Sequence, residues 1–396
     1  MTDTVLHARL MQATELTRRG QLTEATALIQ RSLAAASPPA RPPMATCATL
    51  DDVIERECVV IGFSKPTGQA EPGAESPKVR RPDDGVKDLL RNIGRLGGAA
   101  SPRARASTDT KAPGQFIAGS YANAAGERDY KLYIPSNHEG QALPLIVMLH
   151  GCTQSPDDFA AGTRMNQLAE EARCLVLYPA QAHSANHSRC WNWFRRKDQA
   201  RDRGEPSVIA GMTREIMRRR NINSRSVYIA GLSAGGAMAA VMAATYPDLY
   251  SGVGIHSGLA CGSAHDLPTA LAAMQGTPGS NRRPGILANH ATPTIVFHGD
   301  RDKTVHPRNG AEVIARSKHA RGSGESERGQ SPNGYAYTRT VHRNSEGQVL
   351  LEHWLVHGGG HAWFGGSGEG SYTDAKGPDA SAEMLRFFLQ TACPRN

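Results

Sequence analysis

An α/β architecture, with a mostly parallel central sheet and helices on both faces, follows from three features of the sequence. Short apolar runs rich in β-branched residues alternate with helical stretches from residue 143 onward. Such alternation implies parallel pairing through right-handed crossovers, with ligands held at the carboxyl ends of the strands. The motifs that carry chemistry, around His150, Ser233, His298 and His357, each fall at such an end. Third, Val227-Tyr-Ile-Ala-Gly-Leu-Ser-Ala-Gly-Gly236 sets an apolar strand, a glycine-flanked serine and a small-residue helix in immediate succession. That is the outline of a nucleophile elbow.

The first 114 residues read differently from the rest. Leu6, Leu10 and Ala13 recur at helical spacing, Gly20 interrupts, and Thr23 caps a second helix carrying Ala27, Leu28 and Ala34. This predicts a helical hairpin over 1–36, outlined like one tetratricopeptide-type repeat. A single copy cannot bury its own apolar face, so it must dock on the body or on an apolar partner. Residues 37–114 are rich in Pro, Gly, Ala and Arg, the composition of a mobile, low-complexity linker.

A catalytic domain is expected over 115–396. Phe116 to Tyr121 and Tyr130 to Ile134 flank a turn at Asn123-Ala-Ala-Gly126 and read as an antiparallel edge. Leu143 to Leu149 and Cys174 to Tyr178 are buried strands, with a helix near Met165 to Glu171 between them. The alternation continues through a helix at Ile209 to Arg219, a strand at Val227 to Ala230 and a helix at Ala234 to Ala244. Strands follow at Gly252 to His256, Thr294 to Phe297 and Leu350 to Val356, then a helix at Ala380 to Leu389. The polar, glycine-rich stretch 317–332 reads as a lid or a surface loop.

Composition narrows the function. The chain has 396 residues, 39% hydrophobic and 21% charged, with a net charge of +8, which suits a globular protein carrying some disordered material. No aromatic residues interleave with the basic ones, so nucleic acid is not an expected partner. No apolar run approaches the ~18 residues of a membrane span. The N-terminus, with Asp3, Arg9, Glu15, Arg18 and Arg19, lacks the apolar core of a signal peptide, so a cytoplasmic protein is expected. The seven cysteines have scattered spacing and no Cys-x-x-Cys, which gives no zinc pattern.

The motifs converge on the chemistry of an activated serine. Ser233 lies on a turn too tight for neighbours with bulk, which Gly231 and Gly235 satisfy, and it sits at a helix N-terminus that favours developing negative charge. Cys152, in His150-Gly-Cys-Thr153, and Ala234 are the expected oxyanion donors through their backbone N–H groups. Each well-placed donor contributes about 3 kcal/mol of transition-state stabilisation. In His298-Gly-Asp300-Arg-Asp302, Asp302 is the expected acid because it lies further into the loop, ahead of Val305 and the next helix, while Asp300 braces the turn. If the chain order is Ser, Asp, His, the base comes from His357-Gly-Gly-Gly-His361, with His361 carried back over the sheet edge and His357 structural.

Leu149-His-Gly-Cys-Thr-Gln154, Cys190-Trp-Asn-Trp-Phe194, Gly231-Leu-Ser-Ala-Gly-Gly236, the His298 to Val305 block and Gly360-His-Ala-Trp363 together resemble the poly(3-hydroxybutyrate) depolymerase family of esterases, relatives of the feruloyl and acetylxylan esterases. The resemblance covers about Phe116 to the C-terminus. It implies an α/β-hydrolase fold, a Ser233–Asp302–His361 triad and hydrolysis of short-chain hydroxyalkanoate polymer or oligomer esters through an acyl-enzyme, with no cofactor. The secreted members' signal peptide and polymer-binding module are not seen, so an intracellular version is expected, its hairpin a candidate contact with polymer granules; an extracellular location is the alternative. Trp191, Trp193 and Trp363 are expected to wall an apolar acyl pocket. Cys152 and Cys190 fall in loops expected to be neighbours, where a bridge and two free thiols both stay open. A feruloyl or acetylxylan esterase, and a non-catalytic granule-associated scaffold, remain the competing readings.

Overall fold

A computed structural model of the chain describes residues 113–277, 292–317, 324–332 and 334–391. The expected hairpin over 1–36 and all but the last two positions of the expected linker over 37–114 lie outside the described residues, and so does any granule contact through them.

Among the described residues ten strands form one sheet. In chain order they are β1 (Gln115–Asn123), β2 (Gly126–Ile134), β3 (Leu143–Leu149), β4 (Leu175–Pro179), β5 (Ile222–Leu232), β6 (Gly252–His256), β7 (Thr294–Gly299), β8 (Glu325–Gln330), β9 (Ala336–Arg343) and β10 (Val349–Val356). Their spatial order is β1-β2-β4-β3-β5-β6-β7-β10-β9-β8. The six central strands, β4 to β10 in that order, pair in parallel, and an antiparallel pair closes each edge. Among the described residues the α-helices are α1 (Pro156–Thr163), α2 (Met165–Ala172), α3 (Gly204–Arg219), α4 (Ala234–Thr245), α5 (Leu267–Met274), α6 (Arg308–Ala315) and α7 (Ala380–Thr391). A two-strand strap, β11 (Trp363–Phe364) with β12 (Thr373–Asp374), follows β10.

The central strands are apolar on both faces because both faces are covered. Along β3 the side chains alternate between two cores. Leu145, Val147 and Leu149 join the α3 and α4 residues Ile209, Met212 and Met238. Ile146 and Met148 join Phe159, Met165 and Phe388 from α1, α2 and α7. Helix α4, Ala-Gly-Gly-Ala-Met-Ala-Ala-Val-Met-Ala-Ala-Thr, is buried almost throughout, and its small residues let it lie close to the sheet. A Cβ on Gly236 would stand 2.9 Å from the Gly231 carbonyl oxygen.

Several elements differ from the sequence expectation. Helix α3 starts at Gly204, five residues before Ile209, because Pro206 sits in its first turn, where a missing N–H costs nothing. Within the stretch 317–332, residues 325–330 form β8, paired along its length with β9. Its sequence, Glu-Ser-Glu-Arg-Gly-Gln, is almost entirely exposed. Charged residues on an outer strand block further pairing, and they also erase the apolar alternation by which a strand is recognised.

Candidate active site

Ser233 links β5 to α4 with φ 57° and ψ −118°, a left-handed conformation uncommon for a residue with a side chain. Such strain costs on the order of 1–3 kcal/mol and persists only where the surroundings enforce it. Here they do. The Ser233 N–H donates to the His256 carbonyl at the end of β6 (2.9 Å), and its carbonyl accepts from Ala237 N–H (2.9 Å). A Cβ on Gly231 would meet the Gly235 carbonyl carbon at 2.4 Å, and one on Gly235 would meet the Leu149 oxygen at 2.1 Å. The second glycine is therefore required by the end of β3 rather than by its own helix. The elbow presses directly on the end of β3, the strand that leads into the expected oxyanion loop.

Asp302 and His361, the expected acid and base, lie in hydrogen-bonding contact. Asp302 Oδ2 accepts from His361 Nδ1 at 2.6 Å. Asp302 Oδ1 accepts the backbone N–H groups of Thr304 and Val305, both at 2.8 Å, so the carboxylate cannot rotate freely. His298, which had no role assigned from sequence, flanks the same carboxylate. Its Nε2 donates to the Val305 carbonyl at 2.8 Å and lies 3.5 Å from Asp302 Oδ2, in a site with no solvent exposure. Burial pushes the Asp302 carboxyl up, but the hydrogen bonds and charges of His298 and His361 outweigh it and hold the group well below the usual carboxylate range. An ionised Asp302 fixes the His361 proton on Nδ1 and leaves Nε2 as the acceptor.

Asp300 does what was expected of it. Its carboxylate takes His357 Nδ1 at 3.0 Å and Gly358 N–H at 2.7 Å, bracing the start of the glycine loop. The three glycines are not equivalent. Gly358 has φ +87°, a Cβ on Gly359 would strike the Phe364 ring at 2.6 Å, and Gly360 has nothing within 4 Å.

Beyond His361 the chain docks over the elbow. The indole of Trp363 stacks on the imidazole of His256 at 4.9 Å, and Phe364 N–H donates to His256 Nε2 at 3.1 Å. His256 thus grips the strap by its side chain and the nucleophile turn by its carbonyl. Burial, with His298 and His361 nearby, pushes its imidazole well below the ordinary value, so it stays neutral. The loop of the base and the turn of the serine meet on one residue. Among the described residues no hydrogen bond joins the Ser233 hydroxyl to His361; such contacts are often long before substrate binds.

The expected oxyanion loop is held from below and from the side. His150 is buried, with Nδ1 against the Gly151 carbonyl (2.8 Å) and Nε2 accepting Gln181 N–H (3.1 Å). Burial pushes it down to about 4, which makes it a neutral scaffold and not a second base. Cys152 is bonded to Cys190, and Thr153 N–H donates to the Ser188 carbonyl at 2.7 Å. The Cys190 loop in turn hangs on Glu205, a buried carboxylate in the first turn of α3. Glu205 accepts from Gln181 Nε2 (2.6 Å), Asn192 N–H (2.7 Å) and Asn192 Nδ2 (2.6 Å). Ala234, as the first residue of α4, has a backbone N–H with no partner inside the helix.

The three tryptophans expected to wall an acyl pocket are buried. Trp191 and Trp363 are 0% and 1% exposed and Trp193 is 6% exposed, so none presents an open face to a substrate. Trp191 and Trp193 pack in the core with Ile209 and Met212, and the Trp363 indole donates to Ser381 Oγ at 3.0 Å. Large rings on a loop are buried for their area, and position near a site does not distinguish a wall from a wedge. Among the described residues no group of three or more His, Cys, Asp or Glu is arranged to hold a metal, and no helix is long and apolar enough to cross a membrane.

Residues 128–324 match the family described as esterase PHB depolymerase. Poly(3-hydroxyalkanoate) depolymerase C of Paucimonas lemoignei is 32% identical over 240 residues, 58% of this chain and 57% of that one. The chain therefore spans little more than half the length of that relative. Feruloyl esterase B of Neurospora crassa is 28% identical over 260 residues, 62% of this chain and 82% of that one. Among solved structures, an acetyl xylan esterase from Aspergillus awamori superposes with a TM-score of 0.53 at 19% identity, covering 69% of this chain and 99% of that chain. At that identity the likeness speaks for a shared fold.

Proposed function

This chain belongs to the PHB depolymerase family of esterases, with an α/β-hydrolase fold, and from that premise we propose that it is a serine carboxylic-ester hydrolase acting on short-chain polyhydroxyalkanoate polymers or oligomers. Ser233 Oγ attacks the ester carbonyl while His361 Nε2 takes its proton. Asp302 holds the imidazole in the tautomer that leaves Nε2 free and stabilises the imidazolium that forms. The tetrahedral oxyanion is met by the N–H groups of Cys152 and Ala234. His361 then protonates the departing alcohol, leaving Ser233 acylated, and activates the water that releases the acid.

The observation that carries this reading is the 2.6 Å contact between Asp302 and His361, on a loop whose next residues are docked against the strained serine turn. The choice of hydroxyalkanoate rests on the family and on the relative named a poly(3-hydroxyalkanoate) depolymerase. A second reading, an aryl or carbohydrate esterase, is supported by the 82% coverage of feruloyl esterase B. Parallel turnover assays on 3-hydroxybutyrate oligomers, methyl ferulate and acetylated xylan, with Ser233→Ala as the blank, separate the two. Fastest turnover of the oligomers is expected; fastest turnover of either other ester overturns the substrate, and turnover by Ser233→Ala overturns the mechanism.

The Cys152–Cys190 bridge favours an oxidising compartment, the second of the two locations left open by the sequence. Attachment to polymer granules through residues 1–36 belongs to the polyester reading. Co-sedimentation unchanged by deletion of residues 1–114 would remove it.

A further inference from the structure

Gln154 closes the motif Leu149-His-Gly-Cys-Thr-Gln154 and has no part in the chemistry above, yet its side chain is 2% exposed and fully engaged. Its Oε1 accepts Gly151 N–H at 2.8 Å. Its Nε2 donates to Asp158 Oδ2 and to the Ser371 carbonyl, both at 3.0 Å. Turning the amide over would set Oε1 against a carboxylate and a carbonyl, so the partners fix its orientation. Asp158, in α1, holds the same serine twice more, taking Ser371 N–H at 2.9 Å on Oδ1 and Ser371 Oγ at 2.6 Å on Oδ2.

Ser371 belongs to the segment that follows the base. Tyr372, its neighbour, accepts Trp363 N–H at 2.7 Å, and Trp363 pairs with Thr373 in the strap. A path of hydrogen bonds therefore runs from the oxyanion loop through Gln154 to Ser371, and through β12 and β11 to the residue two beyond His361. At its other end Gln154 holds the Gly151 N–H, one residue before Cys152, whose N–H is the expected oxyanion donor.

We infer that Gln154 is a positioning residue that registers the oxyanion loop against the loop of the catalytic base, so that donor and base are set as one unit. This rests on the serine esterase reading. A glutamine is suited to the place because it must accept at one end and donate to two acceptors at the other. Glutamate could do only the first, and would face Asp158 with a like charge.

The test uses the full chain with a soluble p-nitrophenyl ester and a boronic acid that forms a tetrahedral adduct on the serine. Ser233→Ala must be inactive; residual turnover there brings down the esterase reading itself, not the role of Gln154. Given that, Gln154→Ala is expected to lower kcat by about 10²-fold, in the range of one misplaced oxyanion donor. KM should stay within about twofold, and the boronate Ki should rise in proportion to the lost kcat. Asp158→Asn, at a more exposed position, keeps the variant set interpretable if Gln154→Ala unfolds, and should show the same loss in kcat with parallel weakening of the boronate. The double variant should be no worse than the poorer single one, since both cut one path. A folded Gln154→Ala enzyme within threefold of the parent in kcat, a kcat loss with an unchanged boronate Ki, or strictly additive losses would each overturn the inference.

Discussion

Replacing Gly235 by alanine sets two physical effects against each other. Gly235 is the second residue of α4 and is not in a left-handed conformation, so helix propensity alone favours alanine by about 1 kcal/mol. Against this, the new Cβ would lie 2.1 Å from the Leu149 carbonyl oxygen and 2.6 Å from that of His150. Ordinary contact is on the order of 3.5 Å, so helix and strand must part by about 1 Å. The obstructing atoms are backbone and cannot swing aside, which puts the cost at the upper end of the overpacking range, about 3 kcal/mol. The net effect is a loss of about 2 kcal/mol, or a fall in Tm of about 4–8 °C for a domain of this size. Since Leu149 and His150 lead into the oxyanion loop, an error of about 1 Å there should also cost about 10²-fold in kcat/KM. Gly360→Ala is the control: it has open space and no left-handed φ, and should keep its Tm, or gain slightly, with activity near that of the parent. Thermal unfolding by circular dichroism and ester turnover read both variants. A Gly235→Ala protein with raised Tm and full activity would refute the steric account of the elbow.

The two Asp–His pairs should separate cleanly in function. Asp302→Asn is expected to lower kcat by about 10⁴-fold with little change in KM, while Asp300→Asn, measured alongside, should lower it by less than about tenfold. Opening the Cys152–Cys190 bridge, by reductant or by Cys152→Ala with Cys190→Ala, releases the oxyanion loop; denaturant melts should show a loss of up to about 4 kcal/mol for the 38-residue separation, with kcat falling more than KM changes. His150, held at about 4 in the folded state against 6.5 when free, leaves the unfolded chain binding more protons between those values. Stability should therefore fall by about 3 kcal/mol from this group as pH drops from 6.5 to 4, and His150→Asn should flatten that part of the urea-melt pH profile.

What the sequence made legible follows the range of the forces involved. Strands β3 and β6 coincide with the expected Leu143 to Leu149 and Gly252 to His256, because a buried parallel strand writes itself as an uninterrupted apolar run. The Asp302–His361 pairing was readable from strand-end motifs, since topology brings strand ends together whatever lies between them. Strand β8 was not readable, because a polar edge strand carries no apolar signal. The burial of Trp191, Trp193 and Trp363 was not readable, because composition says that a ring is present and not which way it packs. Gln154 stood in a quoted motif without a role: its partner Ser371 is 217 residues away, and a hydrogen bond at that separation leaves no periodic trace. Glu205 and Gln181 were missed for the same reason.

The claim that Ser233 is a nucleophile set by His361 and Asp302 is tested most directly by covalent capture. The protein is treated with a fluorophosphonate, digested, and the modified peptide located by mass spectrometry, with Ser233→Ala and Asp302→Asn alongside. One label per chain on Ser233 is expected, absent in Ser233→Ala and formed far more slowly in Asp302→Asn. Label on another residue, or ester turnover that persists in a chain whose Ser233 is fully labelled, would contradict it.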